Sequence, residues 1–174
     1  LAARRMRETL PDARIVLLLR DPVSRAYSHY HHMLRRGEET LSFEDAVDAE
    51  ADRLAGEAEK ILSDPGYFSP KHMYLSYLSR GRYAEQIEMW RQHYPPEQML
   101  ILSSEDFFAR PADTFSQTLE FLGLPQRPLK FAPQMNKGSY PAMNPATRDR
   151  LRETFRPHNA RLYQLVGSDF GWDK

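Results

Sequence analysis

The 174-residue sequence contains no cysteine, which excludes disulfide bonds and thiolate metal ligands from its fold. It also has no net charge, because 24 Lys and Arg residues balance 24 Asp and Glu residues. That balance argues against a protein that grips a polyanion over most of its surface, so we expect no nucleic-acid partner. No apolar run approaches membrane-spanning length, and we expect no membrane segment. A chain without cysteine suits a reducing compartment, and we expect a cytoplasmic location.

What the sequence does contain is a series of helical patterns around two short apolar runs. The runs Arg14–Arg20 and Met99–Ser103 are apolar on both faces, which is typical of buried parallel strands. Helices are predicted over residues 1–10, from Pro22 to near Gly37, over 43–62, around 73–78, and over 83–94, 111–122 and 145–166, the last interrupted at Pro157. Proline-rich residues 124–144 are expected to form a long loop. This order of elements favours a single α/β domain with a parallel sheet and flanking helices.

Two strands alone do not make a stable parallel sheet. Parallel sheets are found with several strands and with helices covering both faces. We therefore expect the domain to be incomplete at its N-terminus, with one or more central strands upstream of Leu1.

The end of the first strand carries the pattern of an anion site. Arg20 ends the strand, and Asp21-Pro22 is typical of the start of a helix. Open α/β sheets bind ligands at the carboxyl ends of their strands, and the N-terminus of a helix favours a phosphate. Ser28, one turn after Ser24 on the same helix face, offers a hydroxyl donor. An arginine that only flanks the strand and pairs with a carboxylate is the alternative on this local pattern.

The residues around Arg20 also resemble a known family. The string LLRDPVSRAYSHY is similar to the 3′-phosphate-binding motif of sulfotransferases, in which a serine follows the strand-end arginine by eight residues, as Ser28 follows Arg20. The resemblance continues, in order, through GRYAEQIEMWRQHYPPEQMLIL, SEDFFARPADTFSQTLEFLGLP and NKGSYPAMNPATRDRLRETFRPHNARLYQL, as in heparan-sulfate-type and bacterial enzymes. It implies a three-layer fold like that of P-loop NTPases and the co-substrate 3′-phosphoadenosine 5′-phosphosulfate, with no metal.

The resemblance implies a second nucleotide contact in a late loop. The matching residues are Lys137, Gly138, Ser139 and Tyr140, followed by Pro141. Lysine supplies a point charge for phosphate, glycine permits close backbone approach, and tyrosine offers an aromatic face or hydroxyl near the adenosine. The heparan-type enzymes carry a longer loop here, with a disulfide and an extra basic residue that this sequence lacks. The acceptor, a carbohydrate or a small molecule, therefore stays open.

The family's 5′-phosphosulfate loop, which is rich in glycine and carries a lysine, has no match here, because no glycine precedes Gly37. The resemblance places that loop and the catalytic base upstream of Leu1, so we assign no catalytic residue. We expect this chain alone to bind nucleotide poorly and to catalyse no sulfuryl transfer.

Two other functions are compatible with parts of the pattern. A P-loop-type nucleotide kinase or phosphotransferase would need a Mg²⁺-binding carboxylate at a strand end, for which Glu105-Asp106 is a candidate. A non-catalytic helical interaction domain is the second alternative. We interpret three further features as surface positions: the histidines of the first long helix, the acidic stretch 44–59, and the pair Arg80 and Arg82.

Overall fold

The structure is a computed structural model that describes residues 2–130 and 139–173. Two strands, β1 (Ile15–Leu19) and β2 (Met99–Ser103), run parallel with Ile15 opposite Met99 and Leu19 opposite Ser103. The helices of the described residues are α1 (Ala2–Thr9), α2 (Pro22–Arg35), α3 (Phe43–Asp48), α4 (Glu50–Leu54), α5 (Glu57–Ser63), α6 (Pro70–Tyr74), α7 (Tyr83–Arg91), α8 (Ser104–Ala109), α9 (Pro111–Leu122) and α10 (Pro145–Val166). Short 3-10 turns cover Ser79–Gly81 and Pro96–Gln98.

The described residues form two compact units. The sheet unit comprises residues 2–21, 84–130 and 162–170, and it contains both strands. Helices α8 and α9 pack against β2 in this unit. The α/β class with a parallel sheet and flanking helices is confirmed. Val16 and Leu18 of β1 are nevertheless 40% and 51% exposed, so one face of this strand lies open.

The helical unit comprises residues 22–83, 139–161 and 171–173. Its core is built from one face of α2, from α3, and from the inward side of α10. The buried residues of this core are Val23, Ala26, Tyr30, Met33, Phe43, Ala46, Val47, Tyr77, Met143, Leu151 and Phe155. Apolar residues recurring every three or four positions on α2 and α10 explain why these helices pack here.

The prediction of one helix over 43–62 is wrong, because the structure divides this segment into α3, α4 and α5. Gly56 has a positive φ of 73°, which lies in the left-handed region and cannot continue a right-handed helix. The carboxylates of Glu50 and Glu57 also turn inward to accept hydrogen bonds from distant segments. Both effects favour three short helices over one long one.

Three smaller differences separate the predicted elements from the observed ones. Helix α10 runs without a break through Pro157, although a proline cannot donate the backbone hydrogen bond of its turn. The short helix predicted around 73–78 lies earlier, at Pro70–Tyr74, where the Ser69 hydroxyl caps it by accepting from the His72 N–H. Helix α8 was not predicted, because its six residues are too few to show a period.

Among the residues that the structure describes, no helix is both long and apolar enough to cross a membrane.

Candidate functional site

Arg20 lies in the sheet unit, directly after β1, and its side chain is half-buried. The next residue is fixed by Glu105, whose Oε1 accepts the Asp21 backbone N–H at 3.0 Å. The Oε2 atom of Glu105 accepts the Ser103 hydroxyl at 2.9 Å. Glu105 therefore ties the carboxyl ends of the two strands together and fixes the backbone beside Arg20. Sequence reasoning considered Glu105 only as a metal ligand and missed this role.

The candidate carboxylates for a kinase-type metal site are engaged by protein donors. Both oxygens of Glu105 accept hydrogen bonds from Asp21 and Ser103. The Asp106 carboxylate accepts from Arg110 at 2.7 Å, one helical turn away. Within residues 2–130 and 139–173, no group of three or more His, Asp or Glu side chains is arranged to hold a metal ion. These contacts give the kinase alternative no structural support.

Ser28 and Tyr140 both lie in the helical unit, and the structure brings the segment with Tyr140 onto α2. The Tyr140 ring stacks on His31 with 4.4 Å between ring centroids and an angle of 7° between planes. It also meets the Tyr27 ring nearly at a right angle, with 5.5 Å between ring centroids and 86° between planes. Ser28 is the residue after Tyr27 on the same turn, and Ser139 is exposed beside Tyr140. Lys137 and Gly138, the other predicted loop residues, lie outside the described residues.

Burial shifts the pKa values of the aromatic residues around Tyr140. Burial, then the Glu44 carboxylate and neighbouring phenols, raises the pKa of Tyr27. Burial, then the charge of Arg35, lowers the pKa of His31. Both groups are therefore held in their neutral forms near pH 7, which suits packing between aromatic rings. Tyr27 and His31 are aromatic residues four positions apart on α2, and this spacing is the sequence signal that would have indicated the contact with Tyr140.

Another histidine of α2 lies deeper than the sequence indicated. His29 packs edge-on against Tyr77 with 5.1 Å between ring centroids. Burial, then the charges of Arg25 and Arg80, lowers the pKa of His29 to about 4. The prediction that the three histidines are all surface residues holds for His32, which is exposed, but not for His29 or His31, which are half-buried.

The acidic stretch 44–59 is only partly a solvated face. Glu50 is 5% exposed, and its carboxylate accepts the backbone N–H groups of Tyr77, Leu78 and Ser79 at 2.5–2.9 Å. Glu57 is equally buried and accepts hydrogen bonds from the Ser69 and Tyr67 hydroxyls and from Lys60. These two carboxylates anchor the loop and helix that follow, which charge patterning alone did not reveal.

Arg80 is half-buried, so the prediction of a surface position does not hold for it. Its Nε donates to the Ser76 hydroxyl at 2.9 Å, and its guanidinium also donates to the carbonyls of His72 and Met73 at the end of α6. Arginine at the C-terminal end of a helix satisfies carbonyls that the helix leaves open. Arg82 is exposed, as predicted.

Comparison with known proteins gives a consistent family assignment. A family model described as the sulfotransferase domain matches residues 3–158. The chain is 30% identical over 186 residues to heparan sulfate glucosamine 3-O-sulfotransferase 3B1 of Homo sapiens, covering 93% of this chain and 44% of that protein. It is 28% identical over 178 residues to the bifunctional heparan sulfate N-deacetylase/N-sulfotransferase 1 of Caenorhabditis elegans, covering 90% of this chain and 20% of that protein.

A solved structure is also similar. The crystal structure of a sulfotransferase from Alicyclobacillus acidocaldarius matches with a TM-score of 0.74 and 32% identity, covering 99% of this chain and 62% of that one. The chain thus spans less than half of these two curated relatives and about three fifths of the solved structure.

Proposed function

Because the chain belongs to the sulfotransferase domain family, we propose that it carries the half of such a domain that binds the 3′-phosphate end of 3′-phosphoadenosine 5′-phosphosulfate. In the complete protein, the sulfuryl group of this nucleotide passes to an acceptor hydroxyl or amine. The same proposal assigns Arg20, Ser28, Lys137, Gly138, Ser139 and Tyr140 to nucleotide binding.

The observation that carries the proposal is the position of Arg20, one residue past the carboxyl end of a parallel strand. Ligands of open α/β sheets bind at that end of the strands. Only two residues separate β1 from α2, and Ser28 lies two turns into that helix. A guanidinium at the strand end and a helical hydroxyl are donors that suit a phosphate. Glu105 supports this role because it fixes the backbone next to Arg20.

The loop side of the proposed site depends on Tyr140. Its contacts with Tyr27 and His31 bring the residue onto the helix that carries Ser28. Tyr140 at this place offers its hydroxyl, or the ring face that does not stack on His31, to the adenosine moiety, as the resemblance implies. These contacts support a nucleotide site that uses both α2 and the segment that follows residue 138.

Sulfuryl transfer is an in-line displacement. The acceptor oxygen or nitrogen forms a bond to sulfur while the bond from sulfur to the 5′-phosphate oxygen breaks, and that oxygen keeps the electron pair. The acceptor proton passes to a base, and adenosine 3′,5′-bisphosphate leaves. Residues that hold the 3′-phosphate act by positioning, which contributes strongly to reactions of this kind. No catalytic base is assigned to this chain.

We propose a carbohydrate acceptor, because the relatives named above are heparan sulfate enzymes. Zero net charge argues against a polyanion bound over most of the surface, but a local basic pocket for an anionic sugar is compatible with it. A cytoplasmic location is part of the same proposal, since a sequence without cysteine is compatible with a reducing compartment.

We also propose that these residues form one partial domain whose sheet is completed by a further strand. The exposed apolar side chains of Val16 and Leu18 support this view, because parallel strands are usually covered on both faces. The 5′-phosphosulfate loop and the base would come from the same additional segment.

The test of the function is an assay of the complete protein with the sulfate donor and a panel of oligosaccharide and small-molecule acceptors. We expect equimolar release of adenosine 3′,5′-bisphosphate and sulfated product, unchanged by a metal chelator. Donor hydrolysis without a sulfated product would contradict the proposed acceptor class. ATP turnover that stops on adding chelator would support a kinase instead.

A further inference from the structure

Tyr140 is held to α2 by two side chains rather than by one. His31 stacks face to face on its ring with 4.4 Å between centroids, and Tyr27 packs nearly perpendicular to it at 5.5 Å. Tyr27 and His31 also contact each other at 4.5 Å and 88°. Three rings in mutual contact, two of them on one helix, form an aromatic clamp that we define as Tyr27, His31 and Tyr140.

The helix side of the clamp is anchored in the core of the helical unit. Tyr27 packs against buried Phe43 at 4.9 Å between ring centroids. His31 meets the ring of buried Tyr30 at 5.1 Å. The Tyr27 hydroxyl also donates to the Pro141 carbonyl at 3.1 Å, so the backbone after Tyr140 is held in addition to its ring. Because Tyr27 and His31 are fixed in this way, they can determine the position of the backbone around Tyr140.

His31 acts in the clamp through its ring and not as a donor. Its Nε2 atom is buried and accepts or donates no hydrogen bond among the residues that the structure describes. An imidazole that contributes only an aromatic face should be replaceable by phenylalanine. The adjacent His32 is exposed on the same helix and has no part in the ring cluster, which makes it a matched control.

We propose that Tyr27 and His31 are positioning residues for the nucleotide: they hold Tyr140 and the backbone around it beside the turn of α2 that carries Ser28. This inference rests on the proposed function, because the clamp can position a nucleotide only if the domain binds one. Tyr27 and Ser28 are consecutive, and His31 lies one turn later. The clamp thus places the loop side of the nucleotide site in register with its helix side before ligand binds.

The test uses three variants of the complete protein: His31→Ala, His31→Phe and His32→Ala. Hydrogen exchange of the amides of residues 139–144, measured without nucleotide, reports the clamp itself. We expect about three- to tenfold faster exchange in His31→Ala, the change expected from loss of one aromatic pair. His31→Phe and His32→Ala should exchange like the wild type. Unchanged exchange in His31→Ala would overturn the clamp.

Titration with adenosine 3′,5′-bisphosphate then tests the link to the nucleotide. His31→Ala should bind about three- to tenfold more weakly, His31→Phe should restore wild-type affinity, and His32→Ala should match it. If the wild type binds the nucleotide, and His31→Ala and His32→Ala bind it with equal affinity, the inference is overturned while the proposed function is not. Absence of binding by the wild type would overturn the proposed function and this inference with it. If His31→Ala does not fold, failure of His31→Phe to bind like the wild type overturns the inference.

Discussion

Glu39 illustrates how a single buried carboxylate can organise the helical unit. Its side chain is almost fully buried and pairs with Arg53 through two hydrogen bonds of 2.6 and 3.1 Å. It also accepts from the Tyr77 hydroxyl and from the backbone N–H groups of Thr40 and Leu41. Burial alone would raise the pKa of Glu39, but these donors lower it to about 2. Its charge therefore contributes stability above pH ~4.5, and this is lost as the pH falls towards 2.

The first prediction is that Glu39→Gln lowers the free energy of unfolding by about 2–3 kcal/mol at pH 7, since it leaves Arg53 without its buried partner. Urea denaturation measures this change. The matched control is Asp48→Asn, because Asp48 pairs with Arg150 at a similar 2.7 Å but with both side chains exposed. That control should cost less than about 1 kcal/mol. Equal losses of unfolding free energy in the two variants would contradict the prediction that the buried Glu39 pair stabilises the fold more than an exposed pair.

The second prediction concerns His29, whose pKa falls from 6.5 to about 4 because of burial and then the charges of Arg25 and Arg80. Unfolding frees His29 to take up a proton between these two pH values. The unfolding free energy should therefore decrease as the pH falls from about 6.5 to 4, by about 1–2 kcal/mol after allowance for solvent screening. His29→Gln should flatten the curve in this window, while His32→Gln should not. A decrease of the same size in His29→Gln would contradict the prediction.

Sequence reasoning at the residue scale found groups defined by local spacing and missed groups defined by distant partners. The places of Arg20 directly after β1 and of Ser28 on α2 were predicted, because a strand end and a helix turn can be located in the sequence. Their contacts with a nucleotide stay a proposal. Glu39 and Glu50 were missed because the Tyr77 hydroxyl lies 38 residues beyond Glu39, and the backbone donors to Glu50 lie 27–29 residues beyond it. An acidic stretch looks solvated until the fold brings buried N–H and O–H groups to it.

Elements with strong periodicity or an unbroken apolar run were predicted well. Strand β2 and helix α9 have the predicted bounds, and β1 lies within its predicted run. Elements shaped by tertiary contacts were predicted poorly. The division of 43–62 into three helices depends on the positive φ of Gly56 and on carboxylates that accept hydrogen bonds from other segments of the chain. Propensity decides little in short helices, because packing supplies most of their stability.

The junction between the 3-10 turn Ser79–Gly81 and its neighbours gives a prediction at the scale of elements. A Cβ atom on Gly81 would lie 2.7 Å from the Phe155 ring of α10 and 2.9 Å from the Pro22 Cβ of α2. Gly81→Ala should therefore lower the unfolding free energy by about 1–3 kcal/mol, because both neighbours are buried and cannot move freely. Thermal or urea denaturation measures the loss.

The control for this junction is Gly66→Ala. A Cβ atom there meets only the Asp64 carboxylate, at 3.3 Å, and that side chain is exposed and able to move. We expect a change within about 0.5 kcal/mol. A Gly81→Ala protein as stable as Gly66→Ala would contradict the close packing of the turn between α2 and α10.

For the molecule as a whole, charge and composition excluded function classes but did not identify one. Zero net charge and the lack of cysteine are shared by many proteins, so the function had to come from motifs in a fixed order. The family assignment is confirmed by the match over residues 3–158. The individual nucleotide contacts stay proposals, and Lys137 and Gly138 lie outside the described residues.

The central claim is that Arg20 recognises the 3′-phosphate of the nucleotide. The most direct measurement compares the affinities of the complete protein for adenosine 3′,5′-bisphosphate and for adenosine 5′-monophosphate, which lacks that phosphate. Arg20→Ala should weaken binding of the bisphosphate by about 10- to 100-fold and leave the monophosphate nearly unchanged, since a charge-assisted pair contributes about 1.5–3 kcal/mol. Arg5→Ala, an exposed arginine of α1, is the control and should affect neither ligand. Equal loss of both ligands in Arg20→Ala, or no loss of either, would contradict the assignment.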